Sequence, residues 1–206
     1  DMPLDRACLI GCGVTTGLGA ALKTVRIPAG STVVIVGCGG VGLAALQGAR
    51  IVGAGKIIAV DSQAWKFDLA RTLGATDCVD VTDGDPVAAV HGLTGGGADF
   101  VFECLGTVAT VQQAIGMTGR GGTAVIVGVV PVTEMVPISA ADLTLQEKNI
   151  TGSFMGSNEF RVDMPRYIDF YLDGRLHLDE MISARVALDE INAAFDAMRK
   201  GSAARQ

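Results

Sequence analysis

Five short β-branched runs begin at intervals of 21 to 24 residues along a chain of 206: Thr32 to Val36, Lys56 to Val60, Asp77 to Val81, Asp99 to Glu103 and Thr123 to Val127. Between them lie Val41 to Val52, Ala64 to Leu73, Pro86 to Leu93 and Val108 to Met117, where apolar residues recur three and four positions apart, the period of a helix. The strand runs read VVIV, IIAV, FVF and AVIV, apolar at successive positions and therefore on both faces. A strand buried on both sides belongs to a parallel sheet covered by helices above and below. With connections this short, the alternation predicts an α/β fold, a doubly wound parallel sheet with right-handed crossovers, to which Asn149 to Ser153 adds a sixth strand. Gly53, Gly74 and Gly119 stand where left-handed C-caps of three of the helices are expected.

The regular unit occupies residues 27–153. Residues 1–26 carry two expected helices, Leu4 to Ile10 and Gly17 to Val25. Residues 154–206 carry a helix near Val162 to Tyr171, a short run Ile182 to Val186 and a helix Leu188 to Lys200. In the last of these, Ile191, Ala194, Phe195 and Met198 form one apolar stripe that has to be covered.

Composition narrows the function. With 49% hydrophobic and 18% charged residues the chain is not disordered. A net charge of −6 without a basic cluster argues against nucleic acid as a partner. The longest apolar stretch, Thr123 to Val132, is far short of the roughly 20 residues of a membrane span. The opening Asp1-Met2-Pro3-Leu4-Asp5 does not read as a signal peptide. Five cysteines, an odd number without a CxxC, do not make a disulfide framework, and a cytoplasmic location is expected.

The chemistry concentrates at Gly37-Cys38-Gly39-Gly40-Val41-Gly42, a GxGxxG that follows one strand directly and opens a helix. Gly37 permits the tight turn, Gly39 lets a pyrophosphate approach the backbone, and Gly42 lets helix and strand pack closely, with the phosphates at the helix N-terminus. Asp61, 24 residues after Gly37 and at the end of the next strand, can accept both hydroxyls of an adenine ribose and repel a 2′-phosphate, which favours NAD over NADP. Read singly, the glycines are a turn and Asp61 is a helix N-cap. Lys66 reads equally as a ribose contact and as a solvated helix lysine.

Leu9-Ile10-Gly11-Cys12-Gly13-Val14-Thr15-Thr16-Gly17, followed by GCGGVG, Val60-Asp61, Phe102-Glu103-Cys104-Leu105-Gly106 and Val125-Ile126-Val127-Gly128-Val129, resembles the zinc-containing medium-chain alcohol dehydrogenases over essentially the whole chain. The likeness is strongest to the branch with the glutathione- or mycothiol-dependent formaldehyde dehydrogenases. It implies a Rossmann domain, NAD as cofactor, and Cys12 as the last of three protein ligands to a catalytic zinc, with Thr16 beside it on the nicotinamide side. The other ligands, the structural zinc cysteines and most of the substrate pocket would lie in a GroES-like catalytic domain ahead of this point, of which residues 1–26 and 154–206 would be flanking pieces. This chain is then the cofactor-binding part and inactive alone. The resemblance also implies nicotinamide contacts from Val41, from the backbone of Val127 and Val129 at the end of the fifth strand, and from Ser153 and Met155 after the sixth. Leu105 would lie on the adenosine and Arg205 on the pyrophosphate, and the molecule would be a dimer or larger, associating near an apolar edge at Thr123 to Val136. By their residue types alone, Cys12 reads as a buried thiol, Val127 and Val129 as core strand, Leu105 as a loop residue and Arg205 as a frayed end. The substrate would be a small alcohol, aldehyde or thiol-hydroxymethyl adduct. Two other readings remain: a zinc-free quinone or enoyl reductase of the same superfamily, against which Cys12 argues, and a noncatalytic NAD-binding module.

Overall fold

A computed structural model describes residues 1–199. Six strands, β1 (Thr32–Val36), β2 (Lys56–Asp61), β3 (Asp77–Asp80), β4 (Ala98–Glu103), β5 (Thr118–Ile126) and β6 (Asn149–Gly152), form one parallel sheet in the order β3-β2-β1-β4-β5-β6. That order reverses direction between β1 and β4, so a crevice opens beyond the carboxyl ends of these two central strands. Side chains alternate between two cores. Val33, Ile35, Ile57, Ala59 and Phe102 face one layer, and Val34, Val36, Ile58, Val60 and Val101 face the other. The middle of each central strand is thus apolar on both faces, and the charged residues Lys56, Asp61, Asp99 and Glu103 stand at or next to strand ends.

Helix boundaries follow the periodicity closely, at Gly40–Ile51, Pro86–Thr94 and Val108–Met117, while Ala64 to Leu73 begins as a 3-10 turn before Phe67–Leu73. Gly53 and Gly74 have φ of +85° and +120° past their helices. Gly119 does not cap the helix Val108–Met117, because the chain passes straight into β5 through an extended Thr118; Gly95, at φ +72°, is the left-handed cap of Pro86–Thr94.

The amino-terminal part differs from expectation. In place of two helices, Leu4–Thr24 is one continuous helix with π-turns at Ile10–Val14 and Ala20–Thr24. Its glycines are contact points rather than breaks. A Cβ on Gly17 would lie 2.1 Å from the Val41 carbonyl oxygen, and one on Gly48 would lie 2.8 Å from Ala21 Cβ, so small residues let this helix lie directly on Gly40–Ile51. The helix is long and apolar enough to cross a membrane by length and composition. Its most apolar window is 61% buried within this fold, and the interleaved small residues hid it from a search for continuous apolar runs.

In the carboxyl-terminal part, Phe160–Leu172 packs on the same layer through Tyr167, while 182–187 forms neither helix nor strand. The stripe on Ile191–Arg199 is not covered among the described residues: Ala194 is buried, and Ile191, Phe195 and Met198 stay exposed. The apolar edge expected at the fifth strand is also displaced. Strand β5 is paired on both sides, and the free edges are β3 and β6.

Candidate cofactor cleft

The turn after β1 is built for close approach. Gly37 has φ +96° and donates its N–H to the Val60 carbonyl at 2.8 Å. A Cβ on Gly42 would sit 1.8 Å from the Gly37 carbonyl oxygen, so the helix beginning at Gly40 rests on the turn itself. Gly39 is different in kind: its φ of −88° suits any residue, and a Cβ there would meet no atom within 4 Å. Its lack of a side chain is useful only to something outside the protein. No side chain caps this helix, and no acidic residue lies in its first turn. The first-turn amides of this helix, backed by its dipole, thus have no side-chain cap and lie behind the open space at Gly39, an arrangement suited to a phosphate.

Asp61, 6% exposed, anchors the loop. Its Oδ2 accepts the Cys38 N–H at 2.7 Å, and its Oδ1 accepts the Gln63 N–H at 2.9 Å, closing a turn two residues on rather than capping a helix. Lys66 is not solvated: its Nζ lies 3.0 Å from Asp61 Oδ2, and it sits 5.8 Å from the centre of the Trp65 ring. Asp61, Gln63 and Lys66, with Val36, Leu105, Thr110 and Arg199, line a cavity of about 400 Å³. Leu105 is 55% exposed, and a Cβ on Gly37 would strike it at 2.7 Å, so it forms the wall opposite the glycine turn. Arg199, paired with Asp196 at 3.1 Å, is a cation at this cavity with no sequence signal beyond its charge. Arg205 lies outside the described residues.

A second cavity, of about 530 Å³, opens nearby and is lined by Cys12, Thr16, Val41, Ile126, Val127, Gly128, Val129, Gly152, Ser153, Phe154 and Met155, without one charged side chain. It brings together seven positions that sequence reasoning assigned to the nicotinamide and metal side: Cys12, Thr16, Val41, Val127, Val129, Ser153 and Met155. Val127 and Val129 lie beyond the end of β5 at Ile126 rather than within it. The N–H groups of Val127 and Ser153 are already given to the carbonyls of Glu103 and Ile126, both at 2.9 Å, so these two residues hold the cleft wall in register with the sheet. Cys12 is an exposed thiol on helix Leu4–Thr24, not a buried one. By contrast, burial, with the Asp61 carboxylate next in weight, pushes the Cys38 thiol up to about 12, and burial raises that of Cys104 further still, so both are inert.

Two features escaped the sequence. Glu103, fully buried at the end of β4, takes three hydrogen bonds on Oε1, from the N–H groups of Leu105 and Gly106 and from Thr110 Oγ1, at 2.8 to 2.9 Å; its Oε2 has no partner. It fixes the loop that carries Leu105. The other is Asn158, whose amide bridges two elements of the second cavity. Both bond mainly to backbone groups, at Leu105 and Gly106 for Glu103 and at Met155 and Thr15 for Asn158, which no side-chain pattern announces.

Strand order, glycine turn and acidic strand end together define a Rossmann-type domain with its crevice at the topological switch point. A family model described as "Zinc-binding dehydrogenase" matches residues 40–173, and the chain belongs to that family. It is 40% identical over 205 residues to "Probable S-(hydroxymethyl)glutathione dehydrogenase 1" of Schizosaccharomyces pombe, covering 98% of this chain and 54% of that protein. Among solved structures, benzyl alcohol dehydrogenase from Acinetobacter calcoaceticus superposes with a TM-score of 0.95 at 34% identity, covering 98% of this chain and 56% of the other. A zinc-binding dehydrogenase from Sinorhizobium meliloti 1021 bound to NADP gives a TM-score of 0.82 at 39% identity, covering 92% and 54%. The chain spans about half the length of the curated relatives it matches.

Proposed function

We propose that this chain is the cofactor-holding part of an NAD-dependent alcohol dehydrogenase of the zinc-containing medium-chain family, acting on a small alcohol or thiol-hydroxymethyl adduct. The observation that carries the reading is Gly39: an open, unstrained glycine in front of an uncapped helix N-terminus, with a buried carboxylate at the next strand end. A dinucleotide fits this arrangement. Its pyrophosphate would lie on the amides of Gly40, Val41 and Gly42, its adenosine in the cavity between Asp61, Lys66 and Leu105, and its nicotinamide in the uncharged cavity beside Thr16, Val127, Val129, Ser153 and Met155. When bound, the nicotinamide supplies the hydride acceptor. The residues of this chain would orient that ring in the uncharged cavity, whose apolar lining would exclude water from one of its faces.

The choice of NAD rests on Asp61, whose oxygens are acceptors suited to ribose hydroxyls and unsuited to a 2′-phosphate. Lys66 balances that charge, and the similar protein bound to NADP makes the titration against NADP the necessary control.

Zinc does not fit this chain alone. Among the described residues no group of three or more His, Cys, Asp or Glu side chains could hold a metal, whereas a catalytic zinc takes three protein ligands. Cys12 is proposed as one ligand of a site completed by residues outside the chain. In the same reading, residues 1–26 and 154–206 belong to the catalytic domain, which accounts for the exposure of Leu4, Leu188 and Phe195. Exposed Val129, Val132, Met135 and Ile138 support self-association, and free, exposed Cys8 and Cys12 suit the reducing cytoplasm.

Calorimetric titration of the chain with NAD, NADP and ADP-ribose tests the proposal. NAD and ADP-ribose are expected to bind with similar affinity, because the nicotinamide would stay open to water on one face, and NADP more weakly. Absence of binding by all three would overturn the cofactor reading. Equal or tighter binding of NADP would overturn the role of Asp61.

A further inference from the structure

Met155, Gly156 and Ser157 have φ of +49°, +69° and +54°, three successive residues in the left-handed region, two of them not glycine. Such a run is unfavourable and persists only where its surroundings over-determine it. The surroundings are specific. Asn158 Nδ2 donates to the Met155 carbonyl at 2.6 Å and to the Thr15 carbonyl at 2.9 Å, while its Oδ1 accepts from the Tyr167 hydroxyl. One amide thereby joins the segment beyond β6, the helix Leu4–Thr24 and the helix Phe160–Leu172.

Packing closes around this amide. A Cβ on Gly19 would lie 2.3 Å from Asn158 Nδ2 and 2.3 Å from the Gly156 carbonyl oxygen, and one on Gly156 would lie 2.6 Å from the same amide. A second tie runs alongside, from Thr24 Oγ1 to the hydroxyls of Ser153 at 2.7 Å and Ser157 at 2.9 Å. The joint connects the helix bearing Cys12 and Thr16 to the backbone bearing Ser153 and Met155, the two sides of the uncharged cavity. Because the Met155 carbonyl is taken by Asn158, the orientation of that peptide is set by the amide.

We infer that Asn158 is a positioning residue, which holds the Met155 to Ser157 segment in its left-handed course and so sets the nicotinamide-side wall against the helix of Thr16 and Cys12. It touches no reacting atom. The inference rests on the cofactor reading and concerns only one end of the bound dinucleotide: losing the amide should move the nicotinamide wall and leave the adenosine cavity, formed by other strands, as it was.

Saturation-transfer NMR on the 206-residue chain with NAD separates the two ends, because the ratio of transfer to nicotinamide and adenine protons is internal to one ligand and independent of the folded fraction. Asn158→Ala and the isosteric Asn158→Asp, which cannot donate to either carbonyl, are expected to lower the nicotinamide-to-adenine ratio by about threefold or more. An unchanged ratio in folded variants would overturn the positioning role alone. If neither variant folds, Tyr167→Phe, which removes the bond orienting the amide, is expected to lower the ratio, and no change there would overturn the role. Transfer confined to adenine in the unaltered chain would also overturn it. No transfer to either ring would overturn the cofactor reading and this inference with it.

Discussion

Gly39 and Gly42 lie three residues apart in one motif yet serve different constraints. Gly42→Ala drives a methyl group into the Gly37 carbonyl and is expected to cost on the order of 2 kcal/mol of stability, read as a fall in the thermal midpoint. Gly39→Ala meets nothing in the protein and should leave the midpoint unchanged while weakening NAD by about tenfold or more in a calorimetric titration. If both substitutions affected stability alone, the open space at Gly39 would have no ligand to account for it. Asp61→Asn keeps the shape of the side chain but removes its charge, and is expected to weaken NAD by about 1.5 to 3 kcal/mol and relax discrimination against NADP. Part of that loss would arise within the protein, because the same carboxylate holds the Cys38 and Gln63 amides and Lys66.

At the scale of elements, the two flanks are tied by a charge. Asp163, buried on Phe160–Leu172, meets Lys23 of the amino-terminal helix at 2.7 Å, the Glu159 N–H at 2.7 Å and Arg166 at 3.5 Å. Burial works to raise its pKa, but Lys23, the Glu159 amide and Arg166 outweigh it, and the carboxyl is held below the usual carboxylate range. A group whose folded pKa is depressed stabilises the fold above its unfolded value, near 4, and that contribution disappears as pH falls through the folded value. The thermal midpoint should therefore decline on acidification below about pH 4. Asp163→Asn should start from a lower midpoint at pH 7 and decline less steeply, and an identical slope in both proteins would remove Asp163 from the account. The periodicity located nearly every element of the sheet unit but divided the first helix in two, where Leu4–Thr24 runs on through its glycines. A glycine read along the chain is a weak helix former, but Gly17 is a contact point for Val41 and Gly19 for the distant Gly156.

For the whole molecule, covered and uncovered surface together set what the chain can do alone. The sheet is sealed on both faces, whereas Leu4, Phe154, Leu188 and the stripe on Ile191–Arg199 expose large apolar groups. Purified chain should bind NAD yet oxidise no alcohol when zinc is added, because Cys12 supplies a single ligand and no group of three candidate ligands lies among the described residues. Turnover under those conditions would show that the site is complete within these residues. Sedimentation at tens of micromolar is expected to give a dimer or larger through the surface around Val129 to Ile138, and a monomer would count against that surface.

What the sequence determined by itself is what short-range physics encodes. The alternation of apolar residues sets strand, helix and parallel sheet, and the glycine spacing after β1, with Asp61 at the next strand end, marks the dinucleotide turn. The tertiary structure decided everything that depends on which distant atoms meet. It made Lys66, read equally as a ribose contact and as a solvated lysine, the partner of Asp61, exposed Cys12, moved the sheet edge from β5 to β6, and left the buried Glu103 and the partly buried Asn158 as the groups that hold the two halves of the cleft. The reason is physical: a single hydrogen bond or close contact, whether across five residues as in Lys66–Asp61 or 143 as in Asn158–Thr15, leaves no period in the chain, so only the folded backbone reveals it.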